Sequence, residues 1–342
     1  MKIEVYSPTI KRKEMDAVLT ALVEDKIGPG EHARSLIQIA KEYLGFEYCF
    51  ALRSPATALF TALKVLGLEP GQGVVVSALS PGYYARVIAD TGLGLICADT
   101  APGSAWASPE TFESAIAGNP EKHPRCIIVH HTLGYSPAME DILKLGLPVI
   151  EDISQSYGTL TEGKKIGSSG VFTILGLEER DILTAGGGAL LYASNRRDAS
   201  VLKNSGTPPP EYGLPDMNAA MALVQFREAP KNLEKRREIA QVYTQAALRT
   251  RHKRFIPQEE YNCYAFPLIL ETGAKDVKAY AKQKEIEIES AFDHSILGIG
   301  GAEPELCPES YSLSLRTVLF PLYPRLRGKE IEQVAKLIGT LP

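Results

Sequence analysis

Short apolar runs alternate with longer amphipathic segments along the first half of the chain. Four of these runs carry no charged residue and lie at residues 74–76, 95–98, 126–129 and 148–150. Strands that are apolar along their whole length are buried on both faces, which is the usual situation in a parallel sheet covered by helices. The alternation therefore predicts an α/β fold with a mostly parallel central sheet and helices on both faces.

The length of 342 residues allows a large hydrophobic core and suggests two domains of unequal size. We place the large domain at residues 1–232. A linking helix from residue 233 then leads into a smaller C-terminal α+β domain that runs to residue 342. The charge run of Arg236 and Arg237 in this helix is interpreted as a solvated helix face.

Composition narrows the classes of function. A net charge of −4 and a sequence pI near 6.0 argue against a protein that binds nucleic acid. No apolar run approaches the roughly 20 residues that span a membrane, and the N-terminus lacks the apolar core of a signal peptide. The five cysteines are scattered without CxxC spacing, which indicates reduced thiols in a cytoplasmic protein.

Two carboxylates, Glu151 and Asp152, directly follow the apolar run at 148–150, and Gln155 lies three residues further on. Acidic and amide groups just past a buried strand point into the crevice at the carboxyl end of a sheet, where open α/β folds bind ligands. Taken alone, Asp152 is equally consistent with an N-cap that starts a helix after the strand. The flanking pattern favours a small-molecule site.

A pair of histidines, His130 and His131, follows the apolar run at 126–129, and either one could face the same crevice. No third histidine or carboxylate lies at the spacing of a metal-ligand set. We therefore predict that these histidines do not form a metal site.

Several motifs resemble those of one protein family. The segment VIEDISQSYG at 149–158 is followed by the triplet Phe-Thr-Ile at 172–174 and by three glycines at 186–188. An alanine-rich helix pattern at 218–225 and the FPLYP segment at 320–324 come later. As a set, these motifs resemble the DegT/StrS-type nucleotide-sugar aminotransferases, which are pyridoxal phosphate (PLP) enzymes of fold type I. The resemblance covers essentially the whole chain and implies a PLP-transferase-like fold.

The resemblance also implies roles at the ring of the cofactor. Asp152 would pair with the protonated pyridine nitrogen and keep the ring an electron sink. Gln155 would lie near the ring hydroxyl, and Thr173 falls within the cofactor-binding motif. The family has an aromatic residue that stacks on the ring, a role that Tyr83 or Tyr84 could fill only with a shift in register. The alternative is that both tyrosines pack at a helix start.

At the phosphate end, the family grips the cofactor with a Gly-Thr pair at a helix N-terminus, where free backbone N–H groups converge. The matching positions here are Ser54, Pro55, Ala56 and Thr57. Pro55 has no backbone N–H and Ala56 has no hydroxyl, so two donors of the family pattern are missing. Near the substrate, the family has a polar loop at the position of His294.

The largest departure from the family concerns the lysine that holds PLP as a Schiff base and moves the proton. Counted forward from Phe172, its position holds Glu178; counted back from the three glycines at 186–188, it holds Arg180. No lysine lies between residues 166 and 202. Arginine stays protonated at working pH, so it is neither an imine-forming nucleophile nor a base. We predict that Arg180 fills the place of the lysine and pairs with Asp152 or Glu151.

These departures lead to two expectations about function. The first is a family member that has lost Schiff-base transamination and binds a sugar, a nucleotide or a protein partner. The alternative is an active aminotransferase that uses PLP or pyridoxamine phosphate (PMP) on a nucleotide-linked keto-sugar. Non-covalent use of PMP would need no lysine but would need a base, for which His130, His131 and Glu178 are the visible candidates. By resemblance, the protein is expected to be a homodimer.

Overall fold

Seven strands form the main sheet of the structure, a computed structural model that describes residues 2–256, 260–271 and 273–342. These strands are β1 (Tyr48–Leu52), β2 (Gly73–Ser77), β3 (Gly94–Ala98), β4 (Pro124–His130), β5 (Val149–Asp152), β8 (Phe172–Gly176) and β9 (Ala189–Ala193), while β6 (Leu160–Thr161) and β7 (Lys164–Lys165) form a separate hairpin. The order across the main sheet is β1-β9-β8-β5-β4-β2-β3. β9 is antiparallel to both of its neighbours, and the other neighbouring pairs are parallel. The predicted α/β class with a mostly parallel sheet is confirmed.

Helices cover this sheet and begin and end where local sequence signals indicate. They are α1 (Arg12–Val23), α2 (Glu31–Leu44), α3 (Pro55–Leu66), α4 (Tyr83–Asp90), α5 (Pro109–Ala117), α6 (Met139–Leu143) and α7 (Arg196–Asn204). α2 ends at Gly45, whose φ of 74° is the left-handed conformation that glycine adopts without strain. None of the described helices is both long and apolar enough to cross a membrane.

The second half of the chain adds a smaller sheet. Its elements are α8 (Asp216–Ala247), β10 (Phe266–Ile269), α9 (Ala274–Gln283), β11 (Glu289–Ser290), α10 (Pro308–Arg316), β12 (Thr317–Phe320) and α11 (Gly328–Ile338). The three strands are antiparallel in the order β10-β12-β11, and their apolar side chains pack in a cluster with Tyr243 of α8 and Leu337 of α11. The division of the chain at residue 232 remains a prediction.

α8 differs from the sequence expectation, which placed two separate helices at 218–225 and 233–248. The structure has one helix of 32 residues that continues through Pro230. A proline inside a helix removes one backbone hydrogen bond. Contacts of α8 with α1, α2 and α11 hold both halves in one line, so tertiary packing overrides the local penalty.

Arg236 of α8 corrects the interpretation of a solvated helix face. Its side chain is 3% exposed. It donates to Asn232 Oδ1 at 2.9 Å and to the backbone oxygens of Tyr264 at 2.8 Å and Leu322 at 3.0 Å. Arg237 is exposed, as expected. The difference arises because the chain around β10 and β12 covers one side of α8, which helix periodicity alone does not reveal.

Candidate functional site

The carboxylate of Asp152 lies at the end of β5 and is 1% exposed. Its Oδ1 accepts hydrogen bonds from Ser154 N at 2.9 Å and from Ser154 Oγ at 2.5 Å. Its Oδ2 accepts from Tyr84 OH at 2.5 Å and from Tyr83 OH at 3.3 Å. Both carboxylate oxygens of Asp152 are therefore bound by groups of this chain.

Tyr83 and Tyr84 reach Asp152 because they begin α4, which follows β2 after a short turn. The two rings meet edge-to-face with centroids 4.8 Å apart, and Tyr84 also meets the His130 ring at 6.2 Å. Burial raises the pKa of each hydroxyl well above the ordinary value for tyrosine, and the charge of Asp152 raises each pKa further. Both hydroxyls are therefore protonated donors. The tyrosines do lie at a helix start, and their hydroxyls are bonded to Asp152.

Glu151 points away from Asp152, because side chains alternate between the faces of a strand. Its carboxylate accepts from Gly170 N at 2.6 Å, Ser169 N at 2.7 Å, Gly167 N at 3.2 Å and His131 Nε2 at 3.2 Å. Burial alone would raise the pKa of Glu151, but the His131 side chain and the backbone N–H groups outweigh it, so the pKa is lowered. Glu151 thus anchors the loop before β8 to the sheet.

His130 faces the Asp152 side and is 4% exposed. Its Nδ1 lies 2.9 Å from Thr132 Oγ1. Burial lowers the pKa of His130 to about 4, against the opposing effect of the Asp152 charge. The imidazole is therefore neutral at pH 7. Among the described residues, no three His, Cys, Asp or Glu side chains are grouped so that they could hold a metal ion.

Arg180 does not pair with Asp152 or Glu151, so that prediction is wrong. Its Nη1 lies 2.6 Å from Glu289 Oε1 of β11, and its guanidinium lies 5.5 Å from the centroid of the Tyr6 ring. The side chain is 48% exposed. Both carboxylates already have a full set of local donors, and burying a guanidinium beside them would add a large desolvation cost.

Asp181, the next residue, is the buried acid of this loop, and sequence reasoning did not single it out. Its Oδ2 accepts from Glu178 N at 2.8 Å. Burial raises the pKa of Asp181 well above its usual value. Burial also raises the pKa of the hydroxyls of Tyr6, Tyr83 and Tyr264, and the charge of Asp181 contributes to the rise in all three. The charge of Asp181 therefore acts on all three tyrosines. The only sequence signal for it was an acid beside the expected lysine position.

Three other predicted site residues have bonds within the scaffold or lie at the surface. The Gln155 side-chain Oε1 accepts from Leu133 N at 2.8 Å. Thr173 Oγ1 donates to the Gly167 carbonyl at 3.0 Å. The His294 side chain is exposed. Their contact with a cofactor or substrate stays a prediction. Glu178 is half-buried, and burial raises the pKa of its carboxyl.

The start of α3 is capped by its own side chains. Ser54 Oγ accepts from Thr57 N at 3.1 Å and lies 2.9 Å from Thr57 Oγ1. Pro55 occupies the first helical position, where it is favoured because its fixed φ suits a helix start. Ala56 follows with no polar side-chain atom. The cap thus uses the backbone N–H of Thr57, a donor that an anion at this helix start would otherwise bind.

These contacts test how far the residues fit a PLP molecule. The pyridinium of PLP needs a free carboxylate oxygen, but Asp152 Oδ2 is already bonded to Tyr84. The phosphate needs backbone donors, but Pro55 has none and Thr57 N is bonded to Ser54. The aldehyde needs a lysine, yet all lysines lie among the described residues and none is buried. In this arrangement, the residues do not fit PLP.

Comparison with known proteins places these observations in a family. The sequence matches the DegT/DnrJ/EryC1/StrS aminotransferase family over residues 8–339. EpsN of Bacillus subtilis (strain 168), which is assigned as a pyridoxal phosphate-dependent aminotransferase, is 26% identical over 283 residues. That stretch covers 75% of this chain and 71% of EpsN.

Solved structures show the same fold. The aminotransferase TlmJ from Streptoalloteichus hindustanus superposes with a TM-score of 0.89 at 19% identity, covering 98% of this chain and 97% of its own. Spr1654 from Streptococcus pneumoniae, assigned as a sugar aminotransferase, superposes in its PMP form with a TM-score of 0.89 at 17% identity. That match covers 99% of this chain and 97% of Spr1654, which was also solved in a PLP form. With a family match over nearly its whole length, this chain belongs to the DegT/DnrJ/EryC1/StrS aminotransferase family.

Proposed function

We propose that this chain keeps the family fold without Schiff-base transamination and binds a sugar-type small molecule instead. The observation that carries the proposal is the 2.5 Å hydrogen bond between Tyr84 OH and Asp152 Oδ2. In family members that use PLP, the matching carboxylate is the partner of the pyridinium nitrogen. Here a buried hydroxyl takes that place, and its raised pKa keeps the proton on the oxygen.

The positions of the lysines support the loss of the Schiff base. Lys165 and Lys203, which flank the lysine-free stretch, are both exposed on the surface. Arg180 is engaged with Glu289 at 2.6 Å and cannot form an imine. A reactive lysine in a PLP site lies against the cofactor, within reach of the buried Asp152. The described lysines offer none that is buried with it.

The tyrosines on which the charge of Asp181 acts support the proposed ligand class. Small-molecule sites combine aromatic walls with a few polar groups that fix orientation. We assign Tyr6, Tyr83 and Tyr264 to such walls, and Asp181 supplies a buried carboxyl group as the polar element. A sugar ring presents apolar C–H faces and hydroxyl edges, which match this combination.

The alternative function, an active aminotransferase that uses PLP or PMP, requires Tyr83 and Tyr84 to leave Asp152. It also requires a base for proton transfer. His130 carries a pKa near 4 and is bonded to Thr132, and His131 is bonded to Glu151. Glu178 is the half-buried candidate that remains, with a pKa raised by burial.

A homodimer is part of the proposal. Exposed apolar side chains cluster on α1 and the turn after it; they are Met15, Leu19, Leu22, Val23 and Ile27, of which Val23 is 75% exposed. Contiguous apolar patches on a soluble chain mark interaction surfaces. A second copy of this chain would bury this patch, and analytical ultracentrifugation of wild type and of Leu19→Glu would test it.

The test of the proposal is a PLP titration followed by borohydride reduction and intact mass measurement, with Spr1654 as the positive control. We expect no absorbance change and no added mass, and the same result for Arg180→Ala. A reduced PLP adduct on one lysine of the wild type would refute the loss of the Schiff base.

A second arm tests the ligand class by isothermal titration calorimetry with free hexoses and with sugar nucleotides. Binding should weaken at least about tenfold in Tyr264→Ala and Asp181→Asn, because each removes a group that contacts the ring. The matched control is Tyr311→Ala, which removes a tyrosine that is 44% exposed on α10. Equal affinities in all three variants would argue against binding at Asp181.

A further inference from the structure

A cleft of about 440 Å³ lies along α8, and its lining includes none of the residues bonded to Asp152. Arg237, Gln241 and Gln245 line one side, spaced four residues apart on one face of the helix. Arg254 and Tyr261, from the chain before β10, line the other side. Neither the family match nor the site at Asp152 assigns a role to this cleft.

The charge of the cleft is its most distinctive property. Arg237, Arg254 and Cys263 line the same cleft, and both guanidiniums counteract the effect of burial on the pKa of the Cys263 thiol. Among the described residues, neither of these arginines forms an ion pair. Glu260 is the one acidic side chain in the described lining. This positive surface stands out on a chain whose net charge is −4.

A third arginine, Arg236, adds positive charge behind the cleft. Arg236 also acts on the Cys263 thiol, and its Nη1 lies 3.4 Å from the Cys263 carbonyl oxygen. Its other partners are an amide oxygen and backbone carbonyls, so it too has no carboxylate within the described structure. Three guanidiniums, none with an acidic partner among the described residues, therefore act on one short segment of chain.

We propose that this cleft binds the phosphate group of a small phosphorylated molecule. Guanidinium forks match phosphate oxygens in two parallel hydrogen bonds. The amides of Gln241 and Gln245 add neutral donors along the same helix face. The guanidinium of Arg254 lies 5.4 Å from the centroid of the Phe266 ring, which orients it before a ligand arrives. The cleft is open to solvent, so affinity should fall as salt rises.

Isothermal titration calorimetry with inorganic pyrophosphate at low ionic strength tests this site on the full chain. We expect Arg237→Ala and Arg254→Ala to weaken binding at least about tenfold each, and Arg237→Lys to weaken it less because charge is kept while the fork is lost. The matched control is Arg251→Ala, which removes a nearby arginine already paired with Glu271 at 3.0 Å. That variant should bind as wild type does.

A parallel titration with adenosine diphosphate separates two sources of the phosphate group. Tighter binding than pyrophosphate identifies a nucleotide, and equal binding identifies a site for the phosphate group alone. The proposal fails if neither compound binds at millimolar concentration, if both alanine variants bind as wild type does, or if Arg251→Ala loses affinity equally. Thermal unfolding of each variant checks the fold, and Arg254→Lys replaces Arg254→Ala if the latter does not fold.

Discussion

Glu151 and Asp152 are neighbours in sequence and both are fully buried, yet the regions that hold them are built differently. Glu151 is bound by three backbone N–H groups of residues 167–170 and by His131. Asp152 is bound mainly by the side-chain hydroxyls of Tyr83, Tyr84 and Ser154. Backbone donors are set by the path of the chain, whereas a hydroxyl can be gained or lost by one substitution. The Asp152 region can therefore change its chemistry while the Glu151 region preserves the fold.

The strongest test of this comparison removes the Glu151 carboxylate. Glu151→Ala should lower the free energy of unfolding by about 3–5 kcal/mol, because it leaves buried donors without partners. Urea unfolding measures the change. Glu151→Gln keeps an acceptor oxygen and should lose less. A loss below about 1 kcal/mol for Glu151→Ala would show that the loop at 167–170 does not depend on this carboxylate.

The second test uses pH and His130, which lies on the Asp152 side. The folded-state pKa of His130 is about 4 and its ordinary value is 6.5. Between these values, the unfolded chain binds a proton that the folded chain does not, so stability falls as pH falls through that window. The difference between the two pKa values corresponds to at most about 3–4 kcal/mol.

Urea unfolding at pH 7, 5.5 and 4 measures this effect. His130→Gln should remove its share of the pH dependence, and substitution of the exposed His123 by Gln should leave the dependence intact. If wild type and His130→Gln show parallel pH profiles, His130 is not held neutral by burial.

The third test asks whether the bonds at Asp152 are as critical as those at Glu151. Tyr84→Phe removes one hydrogen bond and keeps the ring, so we expect a loss of about 1–2 kcal/mol in the free energy of unfolding. Asp152 keeps Ser154 and Tyr83 as donors in this variant. A loss as large as that of Glu151→Ala would remove the distinction between the two regions.

The smallest effect is expected at Arg180, which lies on the loop between β8 and β9 and contacts β11. Its ion pair with Glu289 is partly exposed, with the Arg180 side chain at 48%. Exposed pairs contribute up to about 1 kcal/mol, so Arg180→Ala should change stability by less than that. Glu289→Ala and the double variant complete a mutant cycle. A coupling energy well above about 1 kcal/mol would show that this pair locks the loop onto the smaller sheet.

The scaffold could be predicted from local patterns, because each signal is carried by neighbouring residues. Apolar runs marked β2 to β5, and Ser54 with Pro55 marked the start of α3. The site was predicted in part: Asp152 lies at the end of β5 as expected, but Arg180 was predicted to pair with Asp152 or Glu151 and pairs with neither. Its observed partners Tyr83 and Tyr84 lie almost seventy residues earlier in the chain.

Such pairings depend on which strands are neighbours in the sheet. β4 lies between β2 and β5, so the residues that follow β2 and β5 reach the same edge. Asp181 and Arg236 show the same limit, because each is buried by elements distant in sequence. The sequence by itself determined the central strands β2 to β5, most helices, the family and the absence of lysine from 166 to 202, since these follow from residue type and spacing. Only the tertiary structure decided which donors satisfy Asp152 and which arginines are buried, because hydrogen bonding and burial are properties of the packed chain.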